Sequence, residues 1–247
     1  IAVASDQMVI GVSPLAPEFS VLRQLNYSLS LAIESNNVTA EKIYLSRVLD
    51  IVLSNETSLG TSNPNTDPEG YRALMVLQLS SLFVKNSSTY YLSTFQELNA
   101  TGKVTEVAMG SALFAYVQSG EVYYDIALYR SSAISHHIPF IVLPPQVNLG
   151  SANFSSFYSR AEVSIVSGGR TVVLHGAPIF ISLTIPNGFK NKVLASSIVL
   201  FLISPEGKAL MKEYGISPLS VPEFFGSPSD VPQPLRSFIN SSVLAYG

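Results

Sequence analysis

Short β-like runs alternate with segments of helical periodicity along most of the chain, and this alternation constrains the fold more than any single motif does. Apolar residues recur every three or four positions in the helical segments, whereas the β-like runs are short and end near Gly, Pro or Asn. Helices are predicted over residues 20–33, 40–53, 111–119 and 191–203, from Asp67 onward, and from about 204 to Gly215. Strands are predicted over residues 8–12, 122–128, 140–143 and 179–185, with a hairpin over 161–174. The pattern predicts an α/β fold.

The amino-acid composition and net charge disfavour some classes of binding partner. Hydrophobic residues make up 47% of the 247 residues and charged residues 13%, with a formal net charge of −3. Without a basic field the chain has no long-range attraction for nucleic acid, which is therefore not an expected partner. The most apolar run, residues 193–203, is shorter than the roughly 20 residues that cross a bilayer. Because the chain opens with Ile and shows no basic leader, we expect that any signal peptide has been removed.

The sequence lacks the patterns that are typical of a catalytic centre. It contains no G-x-S-x-G, P-loop or G-x-G-x-x-G string, and no Cys that could serve as a nucleophile or zinc ligand. Three His residues, at 136, 137 and 175, stand without a second metal-ligand motif. We therefore expect no enzymatic activity, no catalytic residue, no metal site and no cofactor, although an enzyme built on the same scaffold stays an open alternative.

Asn-x-Ser/Thr sequons favour an extracellular location. Roughly two or three would arise by chance at this content of Ser and Thr, but the chain has seven. They begin at Asn26, Asn37, Asn55, Asn86, Asn99, Asn153 and Asn240. Two interpretations stay open: a glycosylated extracellular surface, or sequons that are by-products of a Ser-rich chain.

Residues 61–73, TSNPNTDPEGYRA, combine polar turn residues with the start of the third predicted helix. Asp67 suits the N-cap, Pro68 suits the first helical position, and Glu69 suits the positive end of the helix dipole. Local chemistry therefore explains Asp67 as a helix cap without any binding role.

Several segments together resemble a known family. They are SNPNTDPEGYRALMVLQLSSLF (62–83), FIVLPPQVNLGSANFSSFYSR (140–160) and GAPIFISLTIPNGFKNKVLASSIVLFLISPEGKALMKEYGISPLSVP (176–222), with weaker matches at 4–12 and 111–133. In order and spacing these segments resemble the archaeal molybdate/tungstate-binding proteins, the extracellular solute-binding components of ABC importers. The strings NPNxDPxGYR and LPxxxNLG are uncommon, which makes the resemblance specific.

The resemblance implies a two-lobe fold of the type II periplasmic-binding class, with residues 13–160 as the second lobe. Residues 1–12 would form a crossover strand. Together with residues 161–247, which would form the C-terminal part, they would belong to the first lobe. It also implies a molybdate or tungstate oxyanion as ligand, an ABC transporter permease as partner, and an extracellular location at the archaeal cell surface. A cleft with helix N-termini and hydroxyl groups suits a dianion physically.

The resemblance assigns the ligand-binding residues. In the family, the bound metal centre is expected to gain two carboxylate oxygens beside the oxyanion's own, and the first such carboxylate falls on Asp67, with Ser62 and Asn63 as lesser candidates. Counting from the Tyr129-Arg130-Ser131 stretch places the second carboxylate at Leu128, and counting from Ser119-Gly120 places it at Ala127. Neither can be a ligand, so the nearest acid, Asp125, is a weak substitute.

The family's N-terminal segment, which supplies half of the cleft, is expected to be lacking, so that the first lobe is incomplete. Such a lobe would expose sheet edge and apolar surface, which proteins seldom leave uncovered. An alternative function follows from this: a receptor-derived structural or assembly protein of the cell surface that has lost ligand binding. A partner chain or self-association would then cover the incomplete lobe.

Overall fold

The computed structural model describes residues 1–186, 188–223, 231 and 235–236. In chain order the strands are β1 (Ala2–Ser5), β2 (Met8–Val12), β3 (Leu59–Ser62), β4 (Val104–Val107), β5 (Tyr124–Tyr129), β6 (Phe140–Ile141), β7 (Glu162–Ser167), β8 (Arg170–His175), β9 (Phe180–Ser182) and β10 (Ser217–Glu223). The helices are α1 (Phe19–Glu34), α2 (Val38–Val52), α3 (Pro68–Lys85), α4 (Tyr90–Ala100), α5 (Leu113–Ser119), α6 (Arg130–Ser135), α7 (Ser155–Tyr158), α8 (Lys192–Ile203) and α9 (Pro205–Glu213). The mixed α/β class predicted from the sequence is confirmed.

The chain divides into two compact units. The larger unit comprises residues 7–178, and the smaller unit comprises 1–6 together with 179–247. The division drawn from the sequence placed residues 1–12 and 161–247 with the first lobe, whereas residues 7–12 and 161–178 lie in the larger unit. Pairing explains the difference, because β2 lies between β5 and β6, and the β7–β8 hairpin packs against α3.

The larger unit is built on a five-stranded mixed sheet with strand order β4-β3-β5-β2-β6. Strand β3 runs parallel to β4 and β5, whereas β2 runs antiparallel to β5 and β6. All five residues of β2 are buried, and β3 is buried throughout, as expected for strands covered on both faces. The parallel strands β3 and β4 both end at the loops that precede α3 and α5.

Helix α3 is the central helix of this unit, since it contacts α2, α4, β3, β5 and β7. It begins where the sequence predicts, with Asp67 as N-cap and Pro68 at the first helical position. Its first turn lies so close to β3 that a side chain on Gly70 would clash with the carbonyl oxygen of Ser62. Gly70 thus permits the close contact between the helix and the strand.

A polar network around Asn148 fixes the LPPQVNLG loop. The Asn148 side chain donates to the Gln7 amide oxygen at 2.9 Å and accepts from the Gly150 N–H at 2.8 Å. Its carbonyl oxygen accepts from the Met8 N–H at 2.8 Å, and Tyr158 donates its hydroxyl to the Pro145 carbonyl. These contacts give the motif a structural role at the start of β2.

The smaller unit is built on a three-stranded antiparallel sheet with order β10-β1-β9, joined by α8 and α9. Its core contains Val3, Ala4 and Met211, and Val199 of α8 is buried as well. The sequence predicts an irregular strap over residues 218–234, but 217–223 form β10 because they pair with β1. The remaining residues of that stretch lie outside the described residues, apart from residue 231.

Helix α8 differs from its prediction. Its nearly all-apolar sequence predicts a buried helix, yet one face of it is exposed to solvent. The exposed fraction is 74% for Val193, 53% for Leu194, 55% for Ile198 and 49% for Phe201. In the described part of the chain no single helix is long and apolar enough to span a membrane; the bent pair α8 and α9 meets that test jointly, by length and composition only.

Candidate functional site at the start of helix α3

The loop from Asn63 to Asp67 is held by its own polar side chains. The Asn63 amide donates to Glu106 at 2.7 Å, and its oxygen accepts from the Asn65 N–H at 2.8 Å. The Asn65 side-chain oxygen accepts from the Val166 N–H of β7 at 2.7 Å, and the Thr66 hydroxyl donates to the Ala108 carbonyl at 2.7 Å. The loop is therefore anchored to β4, to β7 and to the segment before α5.

Asp67 bridges two elements through its two carboxylate oxygens. One oxygen accepts from the Glu69 N–H at 3.0 Å, which is the N-cap hydrogen bond of α3. The other accepts from the Gly110 N–H at 2.5 Å, at the start of the 3-10 turn that leads into α5. Asp67 is half-buried, so its carboxylate is fixed in position without being fully enclosed. The predicted capping role is confirmed.

Glu69 is a member of this site that the sequence did not single out. It is only 5% exposed, and its Oε1 is buried without a hydrogen-bond partner in the described structure. That oxygen lies at Gly110, where a side chain on the glycine would clash with it. Burial raises the pKa of Glu69, and the charges of Asp125 and Asp67 raise it further, whereas Arg72 lowers it. The sequence signal was ambiguous because a first-turn Glu is usually an exposed partner of the helix dipole.

Asp125 lies on β5 and is 1% exposed. Burial raises its pKa, the backbone N–H of Ala127 lowers it, and the charge of Asp67 raises it again. One of its oxygens, Oδ2, is buried without a partner among the residues that the structure describes. The structure thus brings Asp125 into the electrostatic environment of Asp67, while its role as a substitute ligand stays a prediction.

The two positions to which the resemblance assigns a second carboxylate are apolar and buried. Leu128 packs with Val9, Val117 and Ile138 in one core cluster, and Ala127 is buried as well. Ser62, the lesser candidate at the end of β3, is also buried, and its hydroxyl has no partner within the described ranges. Asn63, in contrast, uses its side chain to hold the loop.

We call Asp67, Glu69 and Asp125 the acidic cluster. Burial shifts Glu69 and Asp125 toward their neutral forms, so the cluster carries less negative charge than three free carboxylates would. A neutral carboxyl group can also donate a hydrogen bond, which an ionised one cannot. Among the residues described, no group of three His, Asp or Glu side chains is arranged to hold a metal ion.

The predicted glycosylation sites differ in their accessibility. Asn37, Asn55, Asn86, Asn99 and Asn153 are exposed. Asn26 is half-buried, and its amide donates to the Phe140 carbonyl at 3.2 Å and accepts from the Val142 N–H at 2.8 Å. Asn240 lies outside the described residues. Glycosylation stays a prediction, and Asn26 is the least accessible of the six described sites.

A separate cavity of about 330 Å³ lies between α1 and β6. Its lining is mainly apolar and includes Phe19, Leu22 and Ile141, with Arg23 and Asn26 as polar members. None of the predicted ligand-binding residues lines it.

Comparison with known proteins gives the relatives of the chain. A family described as bacterial extracellular solute-binding protein matches residues 1–217. An uncharacterized solute-binding protein of Saccharolobus solfataricus is 28% identical over 100% of this chain and 59% of the relative. Another, of Petrotoga mobilis, is 32% identical over 77% of this chain and 58% of the relative. The chain therefore spans less than two thirds of the length of these relatives.

Proteins with named ligands are also similar to the chain. The molybdate/tungstate-binding protein WtpA of Thermococcus kodakarensis is 27% identical over 95% of this chain and 69% of the relative. The solved periplasmic molybdate-binding protein of Azotobacter vinelandii has a TM-score of 0.45 and 14% identity, covering 87% of this chain and 66% of that chain. The family resemblance predicted from the sequence is confirmed.

Proposed function

Because the chain belongs to the family of bacterial extracellular solute-binding proteins, we propose that it binds a tetrahedral oxyanion, molybdate or tungstate, for an ABC importer. The ligand class is supported by the 27% identity to a molybdate/tungstate-binding protein over 95% of this chain. The proposed location is outside the cytoplasmic membrane, at the cell surface, and the proposed partner is the permease of the importer. The proposed role is binding rather than catalysis.

The fixed position of the Asp67 carboxylate is the structural observation on which the proposed site depends. Its two oxygens accept from backbone N–H groups of two different elements, so the carboxylate is held in a fixed place at the start of α3. Each carboxylate oxygen has two lone pairs, so these bonds leave a lone pair that could bind the molybdenum or tungsten atom of the oxyanion, as the family resemblance implies. A preorganised polar group binds a ligand with less loss of conformational entropy than a mobile one.

The acidic cluster is compatible with an anion only if its own charge is low. Burial favours the neutral forms of Glu69 and Asp125, which reduces the repulsion that a dianion would meet. In their neutral forms both groups can donate hydrogen bonds to an oxyanion. Ser62 Oγ, buried at the end of β3, is a further donor that is proposed to face the ligand.

Titration calorimetry with tungstate, molybdate and sulfate tests the proposal. We expect saturable binding of tungstate or molybdate, and a loss of affinity of about tenfold or more in Asp67→Asn. Asn also caps helices, so this variant removes the carboxylate while retaining the cap. Asp50→Asn, at an exposed position of α2, is the matched control and should bind as the unmodified chain does. Absence of binding for all three anions by the folded chain would refute the proposal.

A further inference from the structure

Two motifs that are far apart in the sequence meet in the structure. Arg72, from the GYR end of the α3 motif, donates to the hydroxyl of Tyr129, the last residue of β5 and the first of the Tyr-Arg-Ser stretch. The guanidinium carbon of Arg72 lies 5.4 Å from the ring centroid of Tyr129 and 5.4 Å from that of Tyr71. The guanidinium therefore lies within cation–π distance of two aromatic rings.

Arg72 also lies within electrostatic range of the acidic cluster. Its positive charge lowers the pKa of Glu69, which lies one helical turn earlier on the same face of α3. Helical side chains point toward the N-terminus, so the geometry of α3 directs Arg72 toward the turn that begins at Asp67. The guanidinium of Arg72 thus interacts electrostatically with the acidic cluster through Glu69.

The backbone at the start of α3 is already engaged. Pro68 has no N–H, and the N–H groups of Glu69 and Gly70 both donate to Asp67. The usual source of anion affinity at a helix N-terminus, its first-turn N–H groups, is therefore used for the cap. These two N–H groups are therefore not available to an anion, which leaves a role for a positively charged side chain at this place.

We propose that Arg72, positioned by Tyr71 and Tyr129, supplies the positive charge that allows an oxyanion to bind beside Asp67. This inference rests on the proposed function and identifies the residue that makes the site selective for anions. Arg72 stabilises the bound anion against the negative charges of the cluster, and Tyr129 holds the guanidinium in place. Arg suits this role better than Lys because its planar group stacks on aromatic rings and stays charged at any physiological pH.

Tyr71 and Tyr129 reduce the side-chain entropy that Arg72 would lose when a ligand binds. A flexible cation loses side-chain entropy when it is fixed by a ligand, whereas a cation that is already held loses less. The hydroxyl of Tyr129 and the two rings restrict Arg72 before any ligand arrives. Removal of the hydroxyl should therefore weaken anion binding while the charge stays in place.

Calorimetric titration with tungstate tests the role of the charge. We expect Arg72→Gln to weaken binding by roughly ten- to hundredfold, and Arg72→Lys to weaken it less, because Lys retains the charge but not the planar group. The affinity of the unmodified chain should fall with added NaCl more steeply than that of Arg72→Gln. Arg47→Gln removes an exposed cation of α2 and should leave the affinity unchanged.

Tyr129→Phe tests the positioning role, and it should fall between the unmodified chain and Arg72→Gln in affinity. Circular dichroism and thermal unfolding are the measurements that check whether each variant is folded. Equal tungstate affinity in the unmodified chain and in folded Arg72→Gln would overturn this inference and leave the proposed function standing. Equal losses in Arg72→Lys and Arg72→Gln would also overturn it, because the charge itself would then have no effect. Absence of tungstate binding by the unmodified chain would overturn the proposed function, and this inference with it.

Discussion

At the scale of single residues, Asp67 combines a structural and a proposed binding role that can be separated. Asp67→Ala removes the cap of α3 and the bond to the Gly110 N–H, so we expect the free energy of unfolding to fall by about 1 to 3 kcal/mol. Asp67→Asn should lose less because Asn caps as well. Urea unfolding measures both values. Equal stability of Asp67→Ala and the unmodified chain would contradict the capping role.

Glu69 should make the stability of the fold depend on pH. Burial, assisted by Asp125 and Asp67, raises its pKa from the ordinary 4.5 to about 9, so between these values the folded chain holds a proton that the unfolded chain has lost. Stability then falls as pH rises through this window, by up to about 1.4 kcal/mol per pH unit. Asp125, whose pKa is raised as well, adds to the same trend.

Glu69→Gln retains the shape of the protonated acid but cannot ionise. We expect it to be more stable than the unmodified chain at pH 8, to approach it near pH 4.5, and to show a shallower pH dependence in between. Thermal unfolding across this pH range measures the effect. The exposed Glu34→Gln serves as control and should follow the unmodified chain. If the stability of Glu69→Gln varies with pH in parallel with that of the unmodified chain, the pKa of Glu69 is the same in the folded and the unfolded chain, and the expectation is wrong.

The sequence could predict the cap but not the surroundings of Glu69. Asp67 followed by Pro68 is a local pattern, and local chemistry decides it. The burial of Glu69 depends on Gly110, which is 41 positions away, and on β5, so no local pattern could reveal it. The same holds for the Arg72–Tyr129 contact, because it joins segments that become neighbours only after the sheet has formed.

At the scale of elements, the contact between α3 and β3 depends on Gly70. A side chain there would meet backbone atoms of Ser62, Asn63 and Pro64, which cannot rotate away as a flexible side chain could. We expect Gly70→Ala to lower the free energy of unfolding by about 3 kcal/mol. Gly188→Ala, where no atom lies within 4 Å of the added carbon, should change it by less than about 0.5 kcal/mol. Chemical denaturation compares the two, and equal effects would contradict the close packing.

Element prediction succeeded where periodicity was strong and was incomplete where pairing decides the structure. The helices α1, α2 and α3 were predicted within a few residues, because their apolar positions repeat clearly. Helix α2 begins two residues before its predicted start, with Asn37 as N-cap, and α5 begins two residues after its predicted start, behind a 3-10 turn. Strands β1, β3 and β4 were missed, since each has only four residues and depends on its neighbours.

At the scale of the whole molecule, the described residues include an exposed apolar face on α8. Val193, Leu194, Ile198 and Phe201 form an apolar stripe that is typical of a surface that contacts another chain. We expect concentration-dependent self-association in light scattering, and Ile198→Glu should reduce it without loss of thermal stability. Val21→Glu, a substitution of similar exposure on α1, should leave the association unchanged. If light scattering shows that the unmodified chain stays monomeric at every concentration, this expectation is contradicted.

The side chain of Asn26 covers part of one edge of the five-stranded sheet. By pairing with the main-chain groups of Phe140 and Val142, it occupies hydrogen-bonding positions at β6, the last strand in the sheet order. Unpaired main-chain groups at such a border recruit strands from other molecules and so begin aggregation. Asn26 thus covers part of this sheet edge, and a side chain without an amide at this position would leave the main-chain groups of Phe140 and Val142 without these bonds.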